Sequence, residues 1–152
     1  MSARHLIMVV AMGSTTMLLA AFAFQHLGGL APCKLCLWQR WPHAAAVVIG
    51  ALALLTHRLQ LAWLGALAAL ATAGVGLYHV GVEQGWWQGP TTCTSGAIGG
   101  LSADDLLDQI MNAPMVRCND IAWAFAGISM AGWNMIISAT LAIIWILAAR
   151  RA

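Results

Sequence analysis

Four apolar runs, Leu6–Phe24, Leu37–Leu55, Leu61–Val82 and Gly132–Ala149, contain no Asp, Glu or Lys, and Arg40 is the only Arg within them. Roughly 20 predominantly apolar residues carry a helix across the hydrocarbon core of a bilayer. A helix satisfies its backbone polar groups within its own segment, so runs of this length have few other solutions in lipid. Only 8% of the 152 residues are charged, against about 25% in soluble domains. The chain therefore reads as all-α: an integral membrane four-helix bundle forming a single membrane domain over residues 1–152. Ala21-Phe22-Ala23 near the end of the first run mimics a signal-peptide cleavage site. The apolar stretch before it exceeds the usual signal core of about 7–15 residues, so it reads as a retained first span.

Orientation follows from the positive charges. Arg4, Arg58, Arg150 and Arg151 fall at the amino terminus, the connection between spans 2 and 3, and the carboxyl terminus. With four spans these places share one side, and the positive-inside rule assigns it to the cytoplasm. Lys34, Arg40 and Arg117 lie on or near the other side, as do Glu83, Asp104, Asp105, Asp108 and Asp120. Both termini are therefore expected on the cytoplasmic side and the cysteines on the outer side. The net charge of +2 gives no indication of nucleic-acid binding.

Two outer loops are expected, at about residues 25–36 and 83–131. The second is far longer than ordinary connections, which marks it as functional or separately structured. Within it, Ser102-Ala103-Asp104-Asp105 has the form of a helix start. Leu106, Leu107, Ile110 and Met111 follow at helical spacing, predicting a short amphipathic helix on the membrane surface or packed against the other loops. Pro114 ends it, and Ile121–Met130 is a second weakly amphipathic stretch leading into the last span.

All four cysteines fall in these outer segments. Disulfides persist in the periplasm and are uncommon in the cytosol, so the predicted side suits redox use. Cys33 and Cys36 are separated by two residues, a spacing that closes a small disulfide ring with little backbone movement. A helix amino terminus or a nearby cation lowers a thiol pKa. Cys36 opens the second span, and Arg40 at i+4 projects from the same helix face. Redox catalysis is the favoured reading of this pair, ahead of a structural disulfide or a zinc site. Cys93 and Cys118 would ordinarily form a stabilising loop disulfide. Gly89-Pro90-Thr91-Thr92 before Cys93, and Gly96, Gly99 and Gly100 after it, favour a mobile sulfur that exchanges.

His43 lies seven residues after Cys36, on roughly the same helix face, where it can affect proton transfer. His26 and His79 also fall toward the outer boundary, and Glu83 ends the third span near Tyr78 and His79. No metal ligation is expected from them. Trp38, Trp41, Trp86, Trp87, Trp123 and Trp133 sit near the same boundary, as an interfacial aromatic belt would. Trp38 and Trp41, nearest the cysteines, are also candidates to line a flat aromatic ligand site.

Pro32-Cys33-Lys34-Leu35-Cys36-Leu37-Trp38-Gln39-Arg40-Trp41-Pro42 resembles the signature P-C-x-L-C-x-x-Q-R-x-P of the DsbB family of bacterial disulfide bond formation proteins. Gly89-Pro90-Thr91-Thr92-Cys93 is similar to the loop of its shorter members. The resemblance implies a membrane enzyme that reoxidises a soluble thioredoxin-like dithiol oxidase, a DsbA-like partner, and passes the electrons to quinone, ubiquinone or menaquinone. That system is the one that keeps the bacterial periplasm oxidising. By the same resemblance Cys93 meets the partner, Cys118 completes the loop pair, and electrons pass to Cys33 and Cys36. Cys36 faces the quinone and Arg40 stabilises its reduced form; Cys36, Arg40, Trp38 and His43 are the expected cofactor-binding residues.

Two other classes fit less of the pattern. A vitamin K epoxide reductase-like enzyme also joins cysteines to quinone, but there the loop cysteines usually precede the membrane-proximal pair. A non-enzymatic membrane subunit with two structural disulfides leaves Arg40 and the cysteine spacing without a shared explanation.

Overall fold

The computed structural model describes residues 1–90 and 116–152, together with Ser102, Asp104, Leu107 and Met111. Each apolar run forms a helix: α1 Ala3–His26, α2 Lys34–Leu55, α3 Ala62–Glu83 and α4 Met130–Ala149. Side chains set their starts. The Ser2 hydroxyl accepts the His5 N–H, the Cys33 sulfur accepts that of Cys36, and the Ser129 hydroxyl accepts that of Gly132, each satisfying an amide that a helix start leaves unpaired.

Three segments are long and apolar enough to cross a membrane: α1, Leu59–Glu83 (a single 3-10 turn running into α3) and α4. Of the four expected spans, α2 is the one outside this group. It has the same 22 residues as α3 but carries Lys34, Gln39, Arg40 and His43 in its first half. Pro42 lies inside it and has no N–H to offer the carbonyl of Trp38. One residue further on, the Thr72 hydroxyl of α3 donates to the Gln39 carbonyl at 3.1 Å.

The helices pack as a closed ring, α1 on α2, α2 on α3, α3 on α4 and α4 on α1. Ile7, Val10, Ala46, Ala53, Ala66, Ala69, Leu141 and Trp145 fill its middle. Small residues let helix backbones approach closely, and here they leave room for one large ring. A Cβ on Gly65 would lie 2.6 Å from the Trp145 indole.

At one end of the ring, Arg4 Nη1 lies 3.4 Å from His57 Nδ1 and Arg151 Nη1 donates to the Met1 carbonyl at 3.0 Å. The two termini and the α2–α3 connection therefore share an end, as the charge pattern predicts. The opposite end gathers the start of α2, the end of α3 and the start of α4.

The stretch before α4 departs from the sequence expectation. Instead of an amphipathic continuation, Ala124–Phe125 (β1) pairs antiparallel with Ile128–Ser129 (β2), Phe125 opposite Ile128. Ala126 and Gly127 both take positive φ, 52° and 76°, the combination that a two-residue type I′ hairpin requires. Of the loop helix expected around Ser102–Met111, Asp104, Leu107 and Met111 are helical and exposed; its other residues lie outside the described ones.

Candidate active site

Cys33 and Cys36 are both free thiols. Pro32 leads the chain into α2 and Cys33 takes an extended conformation as the helix cap. Its Sγ accepts the Cys36 N–H at 3.2 Å, and the two sulfurs stand 2.8 Å apart with Cys33 donating to Cys36. Both precede the apolar part of α2. The hydrogen bond it donates, with burial, pushes the Cys33 thiol far up. The same bond draws the Cys36 thiol down, helped by the Arg40 charge and opposed by burial and Glu83. Of the pair, Cys36 is therefore the sulfur that gives up its proton first, and thiolate is the reactive form.

His79, from α3, ties this pair to the long loop. The Gln39 amide donates to its Nδ1 at 2.9 Å, so the ring proton sits on Nε2. Nε2 donates to the Cys118 carbonyl at 3.1 Å and faces Cys33 Sγ at 3.6 Å and Glu83 Oε1 at 3.9 Å. Glu83 in turn accepts from the Ser129 hydroxyl. Cys118 is disulfide-bonded and fully buried, in one cluster with Cys33, Leu35 and Val82. Cys93 lies outside the described residues.

The sulfur and nitrogen atoms of Cys33, Cys36 and His79 lie within 4.8 Å of one another. That is a Cys2His set of the kind soft divalent ions take. The sequence does not bring His79, 43 residues beyond Cys36, to this pair.

Beside Cys36 lies a cavity of about 410 Å³. Cys36, Arg40 and His43 line it from α2, Phe24 from α1, and Trp123, Phe125, Trp133 and Asn134 from the hairpin and α4. Arg40 is held by α1: Nη1 donates to Gln25 Oε1 at 2.6 Å and Nη2 to the Ala21 carbonyl at 3.3 Å, with the guanidinium 5.1 Å from the centre of the Phe22 ring. All of these partners are neutral, so none of them cancels its charge; Glu83, Arg117 and Asp120 are the other charged residues of the lining. His43, deeper along the same face, is 3% exposed. Its Nε2 lies 3.0 Å from Asn134 Oδ1 and 3.2 Å from Ser138 Oγ.

Trp38 is placed elsewhere: it is half-exposed, lies outside the cavity lining, and has the Lys34 ammonium 5.8 Å from its ring centre. Trp123, Phe125 and Trp133 supply the flat aromatic walls instead. Gln25 and Asn134 are functional candidates that the sequence does not flag. Each is a single polar residue in or beside an apolar run, and in lipid such a residue finds a partner or a cavity.

The arrangement is that of a cysteine pair opening on an apolar chamber, with a third, disulfide-bonded cysteine packed beside it. Comparison with known proteins supplies the family. The family model described as disulfide bond formation protein DsbB matches residues 3–148. Disulfide bond formation protein B of Albidiferax ferrireducens is 29% identical, covering 99% of this chain and 92% of the relative. Disulfide bond formation protein B 2 of Pseudomonas aeruginosa is 32% identical, covering 83% of this chain and 78% of the relative. A chain matched along nearly its whole length, with its cysteine pair held at the mouth of a helix ring, belongs to the DsbB family of disulfide bond formation proteins.

Proposed function

We propose that the protein is a protein-dithiol:quinone oxidoreductase of the bacterial inner membrane, oxidising a DsbA-like periplasmic dithiol and reducing membrane quinone. The observation that carries this reading is the position of Cys36, whose thiol is drawn down beside Arg40, on the wall of an apolar cavity. The lining fits a flat ring bearing polar oxygens: aromatic walls, the Arg40 guanidinium, and a buried His43 Nδ1 without a partner among the described residues. A quinone bound there supplies a two-electron, two-proton acceptor.

The chain's own residues account for the remaining steps. The partner's thiolate attacks Cys93, and the Cys93–Cys118 bond breaks to release the Cys118 sulfur. That sulfur shares the buried cluster of Cys33 and attacks it, breaking the Cys33–Cys36 bond and leaving Cys36 as the thiolate. The partner's second thiolate attacks the partner's own sulfur in the mixed disulfide, which releases the oxidised partner and the Cys93 thiolate. Cys93 then attacks Cys118, breaks the Cys118–Cys33 bond, restores the loop disulfide and leaves Cys33 and Cys36 reduced. His79 Nε2 donates to the Cys118 carbonyl and lies 3.6 Å from the Cys33 sulfur, placed to hold the Cys118 segment against Cys33 during exchange. Arg40 favours negative charge where the ring oxygens develop it, a role that fixed donors fill well in a dry site.

The deciding experiment is anaerobic quinone reduction by the purified protein supplied with a reduced thioredoxin-like oxidase. Cys36→Ser should abolish turnover while a mixed disulfide with the partner still forms. Full steady-state turnover by Cys36→Ser would overturn the order of transfer. No turnover by the unmodified protein with either ubiquinone or menaquinone would overturn the quinone reading.

A further inference from the structure

His43 Nδ1 is a buried ring nitrogen without a hydrogen-bond partner among the described residues, on a side chain that lines the cavity. The groups behind it decide which nitrogen of the neutral ring carries the proton. Asn134 Nδ2 donates to Thr72 Oγ1 at 3.1 Å and lies 3.4 Å from the Thr72 carbonyl. The Thr72 hydroxyl spends its own proton on the Gln39 carbonyl, so toward Asn134 it can only accept. The Asn134 amide is therefore oriented with Oδ1 toward His43, and Oδ1 accepts the proton of His43 Nε2 at 3.0 Å. A neutral imidazole with its proton on Nε2 offers a bare lone pair at Nδ1.

A buried acceptor left unpaired is unfavourable, and a ligand relieves it only by bringing a donor. An oxidised quinone carries carbonyl oxygens, which accept. Its reduced form carries hydroxyls, which donate. The distinction is a property of the ligand's redox state, read by one nitrogen.

We propose that His43 makes the cavity select the reduced ring: Nδ1 accepts a hydrogen bond from a quinol hydroxyl, and this preference raises the reduction potential of the quinone bound there. The inference rests on the quinone reading of the cavity. In the overall reaction the Cys33–Cys36 dithiol loses two electrons and two protons as its disulfide closes, and the ring gains both. Tighter holding of the product draws electrons out of the cysteine pair. For a two-electron couple, each tenfold preference for quinol over quinone raises the bound potential by about 30 mV. Arg40 offers only donors, which suit a carbonyl and a reduced oxyanion alike; the preference for a quinol hydroxyl falls to His43.

The test is equilibrium binding of a short-chain ubiquinone and of its quinol, read anaerobically by quenching of tryptophan fluorescence. It uses the full-length protein in detergent with Cys36→Ser as background, so that no electrons exchange. His43→Leu should weaken quinol binding about tenfold and change quinone binding less than twofold. His43→Gln, whose amide oxygen can still accept, should retain most of the preference. Equal weakening of both ligands in a variant that keeps its unfolding temperature would assign His43 to packing and overturn the proposal. A larger loss of quinone than of quinol would overturn it too, since Nδ1 would then be a donor. Where His43→Leu fails to fold, the doubly O-methylated quinol probes the unmodified site. It should bind about tenfold more weakly than the quinol, and equal binding would overturn the proposal. No binding of either ring to the parent protein would instead overturn the quinone reading itself.

Discussion

Arg40 acts on the cavity with its charge intact because α1 holds it through neutral groups. Gln25 Oε1 and the Ala21 carbonyl orient the guanidinium without cancelling it. Arg40→Ala should lower the rate of quinone reduction about 100-fold, the scale seen when a preorganised donor to a developing oxyanion is removed. Gln25→Glu is the sharper experiment: it keeps the hydrogen bond but adds a countercharge, and should cost about tenfold by the same argument. Unchanged quinone kinetics in Gln25→Glu would show that Arg40 serves topology alone. The cysteines give a second prediction at this scale. The Cys36 thiol is lowered below its ordinary 9.0, so its thiolate is present above that lowered pKa and is lost as pH falls through it, whereas Cys33 is raised and stays protonated. Alkylation of the reduced protein, followed by peptide mapping, should label Cys36 first, with a midpoint below 9. Prior labelling of Cys33 would reverse the assignment. The Cys36–Arg40 relation is legible in the sequence because i+4 spacing on a helix is local. The Gln39–His79–Cys33 contacts are not, because they join α2 to α3 across 40 and 46 residues.

The helices themselves are the most legible feature, and the differences lie at their ends. The run beginning at Leu37 becomes a helix beginning at Lys34, and the run beginning at Gly132 becomes one beginning at Met130. Apolarity marks the lipid-facing length, whereas Cys33 and Ser129 set the starts by capping, a signal that does not depend on hydropathy. The hairpin escaped the periodicity reading because two-residue strands carry almost no period and its turn rests on the backbone conformation of Ala126 and Gly127. The polar first half of α2 explains why this helix is the least apolar of the four: its Gln39, Arg40 and His43 line the cavity. Helix packing supplies the test at this scale. Trp145 of α4 is fully buried and abuts Gly50 of α2 and Gly65 of α3. Gly65→Ala would put a methyl 2.6 Å from the indole, and a rigid ring in a packed core yields poorly. Overpacking of this kind costs about 1–3 kcal/mol. The thermal unfolding midpoint in detergent should fall, while an unchanged midpoint would mean that the indole has room to retreat.

On the scale of the whole molecule, the helix ring separates two kinds of chemistry. The basic groups around Arg4, His57 and Arg151 collect at one end, and the free dithiol, Cys118 and the cavity at the other. A relay between a water-soluble dithiol and a lipid-soluble ring needs this polarity, because its sulfurs must meet a protein from the aqueous side and a ring from the bilayer. It also needs the sulfur end in the oxidising compartment, since in the cytosol the loop pair would be held reduced and could accept no electrons. The positive-inside rule predicts the basic end in the cytoplasm, and this prediction can be tested independently of activity. Arg58 is exposed in the α2–α3 connection, so Arg58→Cys adds a thiol at the basic end. In sealed right-side-out membrane vesicles, an impermeant maleimide should leave this thiol unlabelled until the vesicles are opened. After treatment with an impermeant reductant, the same reagent should reach the loop cysteines from outside. Labelling of Arg58→Cys in intact vesicles would invert the protein, put the dithiol in the reducing compartment, and remove the physical basis for a disulfide-generating relay.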